Sequence, residues 1–190
     1  MTKIEQTQLF AHIAHDSVKQ VRKYTGEPYW VHTDEVARIV AEDGGDEDMV
    51  CAAHLHDVIE DVFPIAPTFD IMLIAKYFGN DVARLVTELT DVYTKVAWPD
   101  LNREKRHNLE RERLSRISAA AKTIKLADLL SNTKSIVAED KDFAQVYIRE
   151  KIALLPYLSE GSSRLLQQTT SQTIAACLDL GIDMPMFKRP

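Results

Sequence analysis

His54-Leu55-His56-Asp57-Val58-Ile59-Glu60-Asp61 places two histidines and three carboxylates in a segment that otherwise reads as buried helix. Its neighbours on the N-terminal side are Val50, Cys51, Ala52 and Ala53, an apolar setting. On a continuous helix His56 lies one turn from Glu60, and Asp57 one turn from Asp61. Like charges at that spacing destabilise a helix by about 0.2–0.5 kcal/mol per pair, and burying an unpaired carboxylate costs far more. Two readings follow. The helix end turns out to solvent and the acids are hydrated, or a divalent cation offsets both costs.

Working outward, the hydrophobic spacing is helical nearly everywhere and no alternating strand pattern appears, so the expected class is all-α. The 190 residues suit one domain, expected over 1–190 with a motif-bearing core at about 10–158. Apolar residues at 45% and charged residues at 27% argue for a packed globule over disorder. Cys51 and Cys177 stand far apart and in no metal-type spacing, so they read as reduced, buried thiols. The N-terminus lacks a signal-peptide apolar stretch, and no run approaches the roughly 20 apolar residues that span a bilayer. A cytoplasmic location is the expectation. A net charge of −6 argues against nucleic-acid and anionic-membrane surfaces. It leaves room for a small phosphorylated ligand held by local cations or a metal.

The first helix is expected at about Ile4 to Val21, with Leu9, Phe10, Ile13, Ala14, Val18 and Val21 inward. His12 and His15 read as packed or capping residues. Gly26 and Pro28 break the following Arg22–His32 stretch into a loop whose Arg22 and Lys23 can hold phosphate. Thr33 or Asp34 can cap a helix from Glu35 to about Ala41, leaving His32 at its N-terminus. Asp46 or Asp48 starts the next helix, which runs through His54, His56 and Asp57. Thr68 and Asp81 are plausible caps for two scaffold helices. Leu101 to Arg116 is polar on nearly all sides and reads as an exposed helix, with Arg103, Lys105 and Arg106 as secondary candidates for an anion. Ala119 to Asn132 is a second apolar helix with Asp128 among its core residues and Asn132 one turn on, Ser135 beyond. Phe143 to Leu158 follows, with Val146, Tyr147, Ile152 and Leu155 inward, then a last helix at about 162–180 closed by Gly181. The tail from Met184 reads as loose.

Four blocks together resemble the HD-domain metal-dependent phosphohydrolases, and most closely the branch that hydrolyses the alarmone (p)ppGpp, found in RelA/SpoT proteins and in small stand-alone SpoT homologues. They are Arg22-Lys23-x-x-Gly26-Glu27-Pro28-Tyr29-x-x-His32, His56-Asp57-x-x-Glu60-Asp61, Phe78-Gly79 through Leu89-Thr90, and Lys125-Leu126-Ala127-Asp128-x-x-x-Asn132. The resemblance implies a compact multi-helix HD-domain fold. It implies one divalent ion, Mn2+ in this branch, held by His32, His56, Asp57 and Asp128, a mixed nitrogen and oxygen set that does not by itself choose the metal. Glu60 and Asp61 match the pair that handles the attacking water. Arg22, Lys23, Asn132 and Ser135 match the nucleotide pocket, and Lys151 is a further candidate for holding phosphate. Two departures stand out: Thr33 where the family usually has Pro, and His54 where Leu is common. His54 should face away from the ligands. The implied reaction releases pyrophosphate from the 3′ position of ppGpp or pppGpp. Alternatives are an HD phosphohydrolase of another nucleotide (ppApp, pppApp, NADPH or a nucleoside phosphate) and a catalytically silent nucleotide-binding module.

Overall fold

The computed structural model describes residues 1–183. Among them are nine α-helices: α1 Lys3–Ser17, α2 Trp30–Glu42, α3 Glu47–Leu55, α4 Ile71–Phe78, α5 Asn80–Leu89, α6 Arg103–Leu114, α7 Ala119–Glu139, α8 Lys141–Leu154 and α9 Ser163–Leu180. The sole β-type pairing among the described residues is an isolated antiparallel bridge between Val21 and Pro28. It closes the loop between α1 and α2, whose reversal uses Gly26 at φ +71°. No described helix is long and apolar enough to cross a membrane.

Two helices carry the core. In α3, Cys51, Ala52, Ala53 and Leu55 are fully buried, and small side chains let α1, α2 and α5 pack close around it. In α7, Ile124, Leu126 and Ala127 are fully buried against α2, α8 and α9. α2 touches both, so His32 on α2, His56 at the end of α3 and Asp128 on α7 converge. Side-chain caps start most helices: Thr2, Asp46, Asp70, Asn102, Ser118, Asp140 and Ser162 each accept a first-turn N–H.

Several expectations are corrected. α1 stops at Ser17, and its inward face is only half the one expected. Ala14 is buried and Phe10 and Val18 pack against the core, but Leu9, Ile13 and Val21 are exposed, and Thr7, Ala11 and His15 are buried in their place. α2 starts at Trp30, ahead of Thr33, so His32 sits inside the first turn. Asp70 caps α4 in place of Thr68, and Asp81 lies in the first turn of α5 behind Gly79. α7 continues two turns past Asn132 to Glu139. Val146 is exposed, and the helix ends at Leu154, where Pro156 falls in a short 3-10 turn from Leu155 to Leu158. α6 is less solvated than its sequence suggests. Glu110 is buried and accepts the backbone N–H groups of Val92 and Tyr93, fastening the loop after α5. α9 begins at the Ser162 cap and ends at Gly181 in the left-handed conformation, as expected. The tail from Met184 lies outside the described residues.

The largest correction falls on the opening stretch. α3 ends at Leu55, His56 and Asp57 turn away, and Val58–Val62 forms a π-helical turn. The N–H of Phe63 reaches back five residues to the Val58 carbonyl at 3.0 Å. Such turns break the regular face of a helix, frequently at functional sites.

Candidate metal centre

The Nε2 atoms of His32 and His56 and one oxygen of Asp57 all lie within 4.8 Å of one another. Asp57 Oδ2 is 3.0 Å from His56 Nε2 and 3.7 Å from His32 Nε2. Asp128 Oδ1 joins them, 3.3 Å from His32 Nε2 and 3.8 Å from His56 Nε2. Both imidazoles are held from behind. His56 Nδ1–H donates to the Ala53 carbonyl at 2.8 Å. His32 Nδ1–H donates to Ser131 Oγ at 2.9 Å, whose hydroxyl donates on to Glu35 Oε2 at 2.6 Å. Each Nδ1 is thereby engaged from behind, and each Nε2 faces the cluster, buried and without a hydrogen-bond partner. Two imidazole nitrogens and two carboxylates, all converging, are a donor set that fits a divalent transition-metal ion.

The electrostatics point the same way. Burial favours a neutral Asp128, yet Lys125 at 2.9 Å, with His32 and His56, holds its carboxyl well below the usual range. Burial likewise opposes ionisation of Asp57, and His56 overrides it. The two acids in turn raise His56 well above an ordinary imidazole despite its burial. The cluster is built to attract positive charge.

Glu60 and Asp61 leave the π-helical turn in different directions. Glu60 Oε2 accepts the backbone N–H of Asp91 at 3.1 Å, beyond the end of α5. Asp61 Oδ2 accepts from Gln20 Nε2 at 2.8 Å, in the loop after α1. Burial, then Asp91 and Asp57, pushes Glu60 up to about 8. Burial, then Asp57, pushes Asp61 up to about 6. The Tyr29 hydroxyl donates to Asp57 Oδ2 at 2.7 Å, and burial beside Asp57 and Asp61 keeps it protonated.

The nucleotide-pocket candidates partly converge. Asn132 Nδ2 donates to Asp128 Oδ1 at 2.6 Å, and Arg22 reaches Asn132 Oδ1 at 3.4 Å and Ser135 Oγ at 2.9 Å. Lys23 instead extends over the surface toward Asp140 and Tyr24.

A family model for the HD domain matches residues 9–154. The chain belongs to the HD-domain family. The guanosine-3′,5′-bis(diphosphate) 3′-pyrophosphohydrolase MESH1 of Xenopus tropicalis is 37% identical over 130 residues, 66% of this chain and 66% of its own length. A probable enzyme of the same name from Synechocystis is 35% identical over 130 residues, of which the chain spans only 16% of the length. A solved structure described as a metazoan ortholog of SpoT that hydrolyzes ppGpp superposes with a TM-score of 0.78 at 26% identity, covering 96% of this chain and 98% of that one.

Within this HD-domain chain a cavity of about 210 Å³ adjoins Asp128, lined also by Lys125, Asn132, Tyr147, Arg103 and Lys151. Arg103 makes a bidentate pair with Glu150 at 2.7 and 2.9 Å. Lys151 is buried, its Nζ bonded to Thr133 Oγ1 at 2.7 Å and Gln172 Oε1 at 3.0 Å. Burial, opposed by Asp128, pushes this amine down to about 7. Arg106 turns to the Leu101 carbonyl and lies outside the cavity lining. His54 faces away from the ligands, as expected. Its Nδ1 is 3.1 Å from Asp34 Oδ1, and Asp34 also takes His12 Nε2 at 3.0 Å, so the acid ties α1, α2 and α3 together. Sequence reasoning assigned no role to Ser131, Glu35, Gln20 or Tyr29. Ser131, three residues after Asp128, shares its helical face and carried a readable signal; Gln20, in a loop, carried none.

Proposed function

We propose that this HD-domain protein hydrolyses ppGpp or pppGpp at the 3′ position, giving GDP or GTP and pyrophosphate in the cytoplasm. What carries the reading is one juxtaposition: a largely buried cluster of His32, His56 and Asp57, joined by Asp128, beside two carboxylates of raised proton affinity, in a chain similar to MESH1. His32, His56, Asp57 and Asp128 would hold one divalent ion, Mn2+ in this reading. Bound there, it would supply Lewis acidity at a phosphoryl oxygen and lower the pKa of water. Glu60 and Asp61 orient the attacking water and accept its proton as the new P–O bond forms. The bond from phosphorus to the 3′ oxygen then breaks, pyrophosphate leaves, and the proton taken up by the carboxylates is returned to the 3′ oxygen as GDP or GTP forms. A base works best with a proton affinity near the operating pH, and burial places both acids above ordinary carboxylates. Arg22, positioned by Asn132 and Ser135, grips the nucleotide, with Lys23 at the rim. Lys151, whose amine is pushed by burial well below that of an ordinary lysine and which is already bonded to Thr133 and Gln172, closes the back of the cavity.

The test is pyrophosphate release from ppGpp by the purified chain with Mn2+, beside ppApp and NADPH. Release from ppGpp supports the reading. No release, while a known hydrolase is active under the same conditions, overturns it. Asp57→Ala and Asp128→Ala should lose bound metal and turnover together.

A further inference from the structure

Behind Asp61 lies a polar column, half-buried at Gln20 and fully buried at His15, that the proposed chemistry leaves unassigned. Lys19, with φ +52°, turns the chain after α1 in a conformation unusual for a side-chain-bearing residue. That turn delivers Gln20, whose main chain is clamped on both sides. Its N–H donates to the His15 carbonyl at 3.1 Å, and its carbonyl accepts the Tyr29 N–H at 3.1 Å. The side chain is equally constrained. Nε2 donates to Asp61 Oδ2 at 2.8 Å, and Oε1 lies 2.6 Å from His15 Nδ1. An ionised carboxylate only accepts, so the amide nitrogen must face Asp61 and the amide oxygen must face His15. His15 Nδ1 therefore carries the ring proton. The ring is fully buried, its Nε2 has no partner, and Tyr29 packs on it with centroids 5.0 Å apart.

Without the His15 N–H, the Asp61 carboxylate alone would favour this orientation of the amide. With the His15 N–H behind it, a flip would set donor against donor and acceptor against acceptor at once. We propose that Gln20 is a positioning residue for Asp61: its carboxamide, locked in one orientation by the Nδ1–H of His15, holds the Asp61 carboxylate in a single acceptor-ready rotamer. The proposal rests on the reading of Asp61 as a handler of water. His15 acts on the reaction only through Gln20, and Gln20 only through Asp61.

The test compares Gln20→Met, His15→Leu and His15→Asn in the full chain. Met keeps the length of Gln without donor or acceptor, and Asn keeps a side-chain N–H where His15 presents Nδ1. In Gln20→Met and His15→Leu, kcat should fall on the order of tenfold to a hundredfold, the scale of a small misplacement of a reacting group. KM should stay within about twofold, because no substrate contact is removed. Metal content should not change. His15→Asn should recover most of the loss seen in His15→Leu. Wild-type kcat in Gln20→Met overturns the proposal, as do equal rates for the two His15 variants, since packing alone then suffices. A second readout needs no substrate. Long-range proton–nitrogen NMR on the full chain with a diamagnetic divalent ion should find His15 neutral with its proton on Nδ1, and the Nε2–H tautomer overturns the proposal. Failure of the wild type to cleave ppGpp counts against the substrate reading, while the tautomer still decides this one.

Discussion

Replacing Lys151 by Met should remove a proton-linked penalty from the fold. The Lys151 amine is buried between Thr133 and Gln172, and burial lowers it from the ordinary 10.5 to about 7, with Asp128 pulling the other way. Between those values the unfolded chain holds a proton that the folded chain does not. Stability is therefore lowest below pH 7 and rises as the pH climbs from 7 toward 10.5. The slope is about 1.4 kcal/mol per pH unit for one proton, which gives roughly 2 kcal/mol between pH 7 and pH 9. Met fills a similar volume and does not titrate. Urea denaturation of wild type and Lys151→Met at pH 6, 7, 8 and 9 yields a difference in which other titrating groups cancel. That difference should be flat below pH 7 and then move in favour of wild type. Loss of the bonds to Thr133 and Gln172 shifts the whole difference curve by a constant and does not change its slope. Parallel stability profiles would refute the reasoning, because they would mean that Asp128 keeps the amine charged in the folded state.

Three further outcomes follow from named contacts. Glu60→Gln should retain metal stoichiometry while kcat falls by roughly 10²–10⁴; undiminished turnover would strip Glu60 of its role. Ser131→Ala removes the acceptor for His32 Nδ1–H and the donor to Glu35. Metal affinity measured against a competing chelator should drop about 10- to 100-fold with little change in the thermal midpoint of the stripped protein, and unchanged affinity would count against the relay. At Gly45 an added Cβ would meet Val40 Cγ1 at 2.6 Å and the Val40 carbonyl oxygen at 3.0 Å. Gly45→Ala should cost about 1–3 kcal/mol in urea denaturation, the usual range for overpacking.

What could be read from the sequence is what local chemistry decides. Asp46, Ser162 and Gly181 are a residue's reach from the backbone groups they cap, so the start of α3 and both ends of α9 were legible. The inward face of α1 was not. Apolar periodicity pointed to Leu9 and Ile13, but α1 buries the polar Thr7 and His15, the latter beside Asp57, His56 and His32. The far end of α7 failed for a related reason. Thr133, Lys134 and Ser135 read as a polar exit from a core helix, yet they are taken up by Lys151, Glu35 and Arg22 on other elements. A polar residue whose partner lies dozens of positions away looks like a solvated one.

The same distinction divides the site. An excess of acid on a core segment is a property of composition, and it raised a cation at His56 and Asp57 as one of two readings before any partner was known. How Glu60 and Asp61 are aimed is a property of the backbone. On a regular helix they would follow His56 and Asp57 along one face. The π-helical turn sets that regularity aside, and its two acids are held from outside, Glu60 by the Asp91 N–H and Asp61 by the Gln20 amide. Both anchors belong to loops with no periodic pattern. The excess charge was therefore legible at His56 and Asp57, and the full ligand set only through the family resemblance, while the arrangement of the two acids beside them depends on how α1 and α5 end.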